Sequence, residues 1–215
     1  MPAPDHLAFF VLAAAALIVV PGPAVLFVVA RTIVHGRRAG IVSASGIAAG
    51  GLVHVAAATV GLSAVLAASA TAFTVVKLVG AAYLVVLGVR TLVGRRSAVS
   101  TLEAAEAEAT APLGTLFRQG VIVNILNPKT ALFFLAFLPQ FVDRHHAAAP
   151  QIALLGLIFV AMAWLSDSLY ATVAGALRGL LARSRRAEGV ERVVSGSVFV
   201  GLGLLAADAQ APTSR

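Results

Sequence analysis

The chain has 215 residues, 60% of them hydrophobic and 12% charged, a net charge of +7 and no cysteine. Soluble domains carry about 25% charged and 45–50% apolar residues, and one core of this size cannot hide so much apolar surface, so lipid is the solvent that the composition fits. The absence of Cys excludes disulfides, thiol redox chemistry and Cys-based metal sites. The arginines cluster between apolar stretches instead of forming a basic patch interleaved with aromatics, which argues against a nucleic-acid partner.

A spanning helix needs roughly 20 apolar residues, because the hydrocarbon core is about 30 Å thick and each residue rises about 1.5 Å. Met1 to His6 holds Asp5 and neither Lys nor Arg, so a cleaved signal peptide with a positive n-region is not expected. Span one is predicted over Leu7–Ala30, and charges return at Arg31, Arg37 and Arg38. Ala39–Val76 is again free of charge and too long for one helix, so it holds span two, a turn near Ala68–Thr74 and the start of span three, which runs past Lys77 to about Leu92. Arg95–Leu116, with Arg96, Glu103, Glu106, Glu108 and Pro112, reads as a solvated loop. Span four is predicted from Gln119 to Val142 and span five from Ala149 to Leu177, joined by Asp143, Arg144, His145 and His146. A loop containing Arg178, Arg183, Arg185 and Arg186 precedes span six, Val190–Ala207, and the tail Gln210–Arg215 is polar.

Of the 16 Lys and Arg residues, 12 fall in loops one, three and five, while Arg144 and Arg215 fall on the other side and Lys77 and Lys129 within spans. The positive-inside rule then places both termini outside the cytoplasm. Pro21-Gly22-Pro23 interrupts span one and Asn127-Pro128-Lys129 interrupts span four; Gly80, Tyr83 and Gly88 in span three are echoed by Gly196, Phe199 and Gly203 in span six. Inverted repeats with breaks in matching helices are the sequence sign of a secondary transporter. The expected fold is thus an all-α integral membrane protein of six transmembrane helices built as two inverted three-helix repeats, residues 1–94 and 117–208. A cytoplasmic loop, 95–116, separates them and a polar tail, 209–215, follows.

Proline in an apolar helix removes a backbone donor and clashes with the preceding turn. In a membrane the freed carbonyls, at and before Ile18 and Val19, survive only where they are buried in protein or line a wet cavity. Pro21, Gly22 and Pro23 are therefore either a packing kink or a discontinuous helix at a binding site. Lys129 lies 11 residues after Arg118, and Asp167 lies 11 residues before Arg178. Both offsets correspond to roughly 16 Å of helix, which puts one cation and one anion at the same mid-membrane depth. They form either a self-neutralising structural pair or, with Asn127 and Pro128, a site for a zwitterion. Lys77 is near a span end and snorkels. His54 fits a hydrogen-bonded packing role or a proton relay. Trp164 and Tyr170 flank Asp167 and, with His54 and Tyr83, are candidates to line a cavity. His145 and His146 are adjacent, point different ways and make no metal site. Gly46-Ile-Ala-Ala-Gly50 and Gly175-Ala-Leu-Arg-Gly179 allow close helix approach.

Pro21-Gly22-Pro23 with Arg31 and Gly36, then Gly80-Ala-Ala-Tyr83-Leu84 through Gly88, then Asn127-Pro128-Lys129 followed by Phe133-Phe134 and Pro139-Gln140-Phe141 resemble the LysE/RhtB family of amino-acid exporters, over about Phe10 to Gly203. The resemblance implies a bacterial inner-membrane protein that exports amino acids such as lysine, threonine, homoserine or leucine, driven by the proton gradient. It implies no cofactor. Members often carry an acidic residue in span two, near where this chain has Gly50-Gly51; its absence leaves Asp167 as the one acid inside a span and favours a neutral amino acid. A cation or metal exporter needs clusters of inward His, Asp or Glu, of which only Asp167 and His54 are at hand. A membrane thiol carrier needs paired Cys, and a non-transporting adaptor leaves a mid-depth charge pair unexplained. No enzyme class fits, since no loop holds a nucleophile and base together. Substrate, coupling ion and the choice between monomer and homo-oligomer stay open.

Overall fold

A computed structural model describes residues 4–68, 111–143 and 146–177, together with residues 75, 78, 82, 85, 86 and 89. All the regular structure among them is helical. Span six, most of span three and the loop before residue 111 lie outside the described residues, so the six-span count and the repeat are expectations that fall largely on them.

The first predicted span consists of two helices, α1 (Pro4–Val19) and α2 (Pro23–His35), bent by 50° at the break. Prolines 21 and 23 withhold the N–H groups that the Leu17 and Val19 carbonyls need, and Pro23 then starts α2 with its φ already helical. α2 runs five residues beyond the predicted end of the span. Arg31, expected in a loop, is buried in α2 and lies 5.2 Å from the Phe27 ring centroid. Its stem joins the apolar face while the guanidinium rests on aromatic π-density. The turn to the next helix shrinks to Gly36, whose φ of +89° is open only to glycine and whose N–H closes on the Thr32 carbonyl at 2.8 Å.

α3 (Arg37–Ala68) follows at once, with Arg37 and Arg38 exposed in its first turn. α4 (Leu113–Ile125) begins six residues before the predicted start of span four, so Arg118 sits on a helix instead of in a loop, though still exposed. α4 stops at Leu126-Asn127, and the chain restarts as α5 (Pro128–Leu132). From there it passes through a π turn, Phe133–Phe137, and a 3-10 turn, Leu138–Phe141. The two parts of this span are bent by 45°. α6 (Ala148–Ala176) is long and unbroken. In its first turn, Gln151 clamps the preceding connection by accepting the Asp143 N–H at 3.0 Å and donating to the Asp143 carbonyl at 2.8 Å.

Helices α3 and α4 cross backbone to backbone. A Cβ on Gly46 would fall on the Phe117 carbonyl, one on Gly50 would lie 2.6 Å from the Val121 carbonyl oxygen, and one on Gly120 would lie 2.6 Å from that of Ser43. Small residues at such crossings let dispersion and Cα–H contacts accumulate where lipid offers no hydrophobic drive. Gly175 likewise admits Arg37. The second contact region is aromatic: Phe133 stacks on Phe159 of α6 at 4.1 Å, and Phe10 of α1 packs edge-on to Phe141 at 5.2 Å. The outward faces of α3 and α6 remain apolar, with Val60, Leu165 and Leu169 more than half exposed. Within α3, Arg37–Gly61 is long and apolar enough to cross a membrane, as is α6, and each bent pair adds one more span if it crosses as a unit.

Candidate substrate site at two helix breaks

The two breaks meet. Gly22, in the first, packs against the side chain of Lys129, in the second: a Cβ there would lie 3.2 Å from Lys129 Cδ and 3.6 Å from Nζ. The Lys129 ammonium reaches across and donates to the Val20 carbonyl at 2.5 Å. At each break, one carbonyl four residues before a proline takes a side-chain donor from a long helix, in addition to the Asn127 N–H that Asn124 accepts at 3.0 Å. Val19, stripped of its donor by Pro23, accepts from the Tyr170 hydroxyl of α6 at 2.6 Å. Asn124, stripped by Pro128, accepts from His54 Nε2 of α3 at 2.9 Å. These are the partners that a membrane interior demands for opened backbone.

A polar network stiffens the second break. Asn127 caps α5 by accepting the Lys129 N–H at 3.1 Å, as N-cap residues do. Asn124 Nδ2 donates to the Ile47 carbonyl at 2.7 Å, and its Oδ1 accepts from Thr130 Oγ at 2.9 Å and from Asn127 Nδ2 at 3.4 Å. The network thereby ties α3, α4 and α5 together and fixes the direction in which Lys129 leaves the backbone.

Between these elements lies a cavity of about 50 Å³, against the 10–15 Å³ that one water requires. Gly22, Asn127, Lys129 and Asp167 line it. Lys129 and Asp167 are 8% and 4% exposed, and their charges interact. The Asp167 carboxylate accepts no hydrogen bond from the described residues. It is a buried acid whose oxygens face a void, while Lys129 is held by backbone. A buried charge is costly unless paired and hydrogen-bonded, and here each charge has the other as its counter-charge.

The other candidates fall elsewhere. His54 backs the second break and stacks on Phe134 at 5.9 Å, and Trp164 is 39% exposed with its indole N–H on Ser45 Oγ at 3.2 Å; neither is among the lining residues. Tyr170 supports the first break from outside the cavity, and Tyr83, Lys77 and His145 lie outside the described residues. Asn124 and Thr130 line the cavity without having been anticipated. One signal pointed to Asn124: Pro128, four residues on, orphans its carbonyl. Thr130 gave no signal, because threonine in a helix commonly bonds its own preceding turn.

Broken helices and buried opposite charges at an internal cavity mark a helical membrane protein. The chain belongs to the LysE family: the family's model, described as LysE type translocator, matches residues 15–209. An uncharacterized membrane protein of Vibrio cholerae is 31% identical over 202 residues, which cover 94% of this chain and 96% of the relative. The homoserine/homoserine lactone efflux protein of Salmonella typhimurium is 28% identical over 190 residues, 88% of this chain and 90% of that one. The leucine efflux protein of an Enterobacter species is 32% identical over 134 residues, 62% of each chain. No solved structure matches the chain.

Proposed function

We propose that this protein exports neutral amino acids across the bacterial inner membrane, with both termini outside the cytoplasm and proton entry as the driving step. The observation that carries the reading is the pair of buried opposite charges, Lys129 and Asp167, on one cavity where two opened helices meet. A zwitterion complements it: the carboxylate goes to Lys129 and the ammonium to Asp167, whose oxygens have no donor among the described residues. Membership in a translocator family, with relatives named for efflux of homoserine and of leucine, supports the same class of substrate. The cavity wall at Gly51 is bare, so no second acid stands there to hold a cationic side chain. A proton delivered to Asp167 from outside neutralises the acid and releases the ammonium; loss of that proton to the cytoplasm before the next substrate binds completes the exchange of a proton for an amino acid.

The test compares the medium of cells overproducing the protein with that of cells lacking it, and then measures counterflow of the enriched compound in proteoliposomes with and without a pH gradient. Enrichment of neutral amino acids, accelerated by a gradient acidic on the receiving side, is the expected result. Unchanged media together with absent counterflow overturn the function, and gradient-independent transport overturns the coupling.

A further inference from the structure

We infer that the hydrogen bond from Lys129 to the Val20 carbonyl is a latch across the two helix breaks, that an amino acid takes its place in the cavity only when this latch is undone, and that Gly22 positions the latch by leaving Lys129 a path. The inference rests on the amino-acid reading above and adds the movement that admits the substrate. It starts from room. The cavity measures about 50 Å³. An apolar cavity of about 150 Å³ accommodates benzene, and leucine is larger than benzene, so a wall must give. Three of the lining helices resist. A Cβ on Gly46, Gly50 or Gly120 would fall within 2.6 Å of backbone across the α3–α4 crossing, and one on Gly156 of α6 would lie 3.0 Å from Val55 Cγ2 of α3. Asn124 of α4 adds its bond to the Ile47 carbonyl of α3 at 2.7 Å. The elements that yield are the two breaks, where proline has already opened the helix ladder and a turn of the chain costs no further intrahelical bond.

Lys129 holds the breaks together. Its side chain leaves the start of α5, passes Gly22 and ends on the Val20 carbonyl at 2.5 Å, joining residues 109 positions apart. Gly22 and Lys129 both line the cavity, so the strut that ties the breaks also closes the space between them. An ammonium has three donors, so a carboxylate does not evict the Val20 carbonyl by competing for one donor. It does so by needing the room, and its opposite charge makes it the stronger partner for Lys129. The neighbouring Val19 carbonyl stays with Tyr170 of α6, a fixed point about which the first break turns. Gly22 is the positioning residue. Its φ of −135° and ψ of −172° are extended backbone open to any residue, so glycine is not required there by conformation. What it supplies is clearance: a Cβ would lie 3.2 Å from Lys129 Cδ, and a branched side chain takes the path that Lys129 follows.

The chain has no cysteine, so spin labels attach only where thiols are introduced. Val19 and Leu126 sit at the two breaks and are 61% and 73% exposed. Labels on Val19→Cys and Leu126→Cys in lipid nanodiscs report the distance between the breaks by dipolar electron paramagnetic resonance. Saturating leucine is expected to lengthen the mean distance by about 3 Å, the length of one added hydrogen bond. Lys129→Met and Gly22→Val, each placed in the labelled background and measured without amino acid, are expected to show the same lengthening relative to the parent. A distance that leucine leaves unmoved in a protein that performs leucine counterflow overturns the latch. So does a distance in both variants equal to that of the parent; where one variant does not reach the membrane, the other decides. Absence of counterflow for every neutral amino acid is a different failure, that of the amino-acid reading itself, and the two variants then test the latch on their own.

Discussion

Replacing Lys129 by methionine separates a substrate ligand from a structural charge. Lysine at mid-bilayer costs about 2.5–3.5 kcal/mol on insertion scales, so an unbranched apolar residue of similar length leaves insertion intact. What disappears is the cation on the cavity wall and its bond to the Val20 carbonyl. A hydrogen bond to a charged group contributes about 1.5–3 kcal/mol, so affinity for a substrate carboxylate falls about 10- to 150-fold at 1.4 kcal/mol per decade. Asp167, 4% exposed, is left without its counter-charge, and breaking a buried pair on one side destabilises by about 3–5 kcal/mol. Lys129→Met is therefore expected to reach the membrane, to unfold at lower temperature in detergent, and to lose counterflow. The double variant Lys129→Met with Asp167→Leu replaces both charges by apolar groups, which is often neutral or stabilising. It should regain thermal stability and remain inactive. Counterflow restored in the double variant refutes the substrate role and leaves a structural pair.

Three further expectations follow from the backbone. Tyr170→Phe removes the hydroxyl that serves the Val19 carbonyl and should cost about 0.6–1.7 kcal/mol, the range for interhelical hydrogen bonds in membranes; an unchanged thermal midpoint would show that the carbonyl has another partner. Gly46→Ala drives a methyl onto the Phe117 carbonyl, which as backbone yields little, and should destabilise by about 1–3 kcal/mol. Gly61→Ala, with no described atom within 4 Å of the new Cβ, is the matched control, and equal midpoints would disprove the tight crossing. A reporter active only outside the cytoplasm, fused near Ala104, should be silent; a strong signal there reverses the orientation.

Both helix breaks were legible because proline acts through local covalent geometry, and the orphaned carbonyls follow from counting back four residues. Equal offsets of 11 residues singled out Lys129 and Asp167, although the stretch from Arg118 to Lys129 crosses the 45° break and does not convert residue number directly into height. Direction around the axis was not legible. Trp164 and His54, at suitable heights, point to Ser45 and to the Asn124 carbonyl instead. Arg31 was misplaced because an arginine near a span end ordinarily marks a loop, and nothing in the sequence says that Phe27 one turn earlier offers its ring face. The one-residue connection at Gly36 was hidden for the same reason, as the surrounding charges read as a longer loop. The network at Asn124 depends on contacts between residues about 77 positions apart, which no local pattern encodes.

The crossed service of the two breaks bears on how this chain can be cut or recombined. The opening in α1–α2 is completed by Tyr170, far along the second half, and the opening in α4–α5 by His54, in the first. Each half supplies a donor that the other's break uses: made as separate polypeptides, the first half loses the Tyr170 hydroxyl from Val19, and the second loses the His54 ring from Asn124, whose carbonyl keeps only the Asn127 N–H at 3.0 Å, which favours reassociation over independent folding. The same interlock constrains chimeras. A first half grafted onto the second half of a relative keeps its Pro23 defect but inherits whatever stands at the place of Tyr170, so the pairs Pro23–Tyr170 and Pro128–His54, more than any single residue, are the units to transplant together.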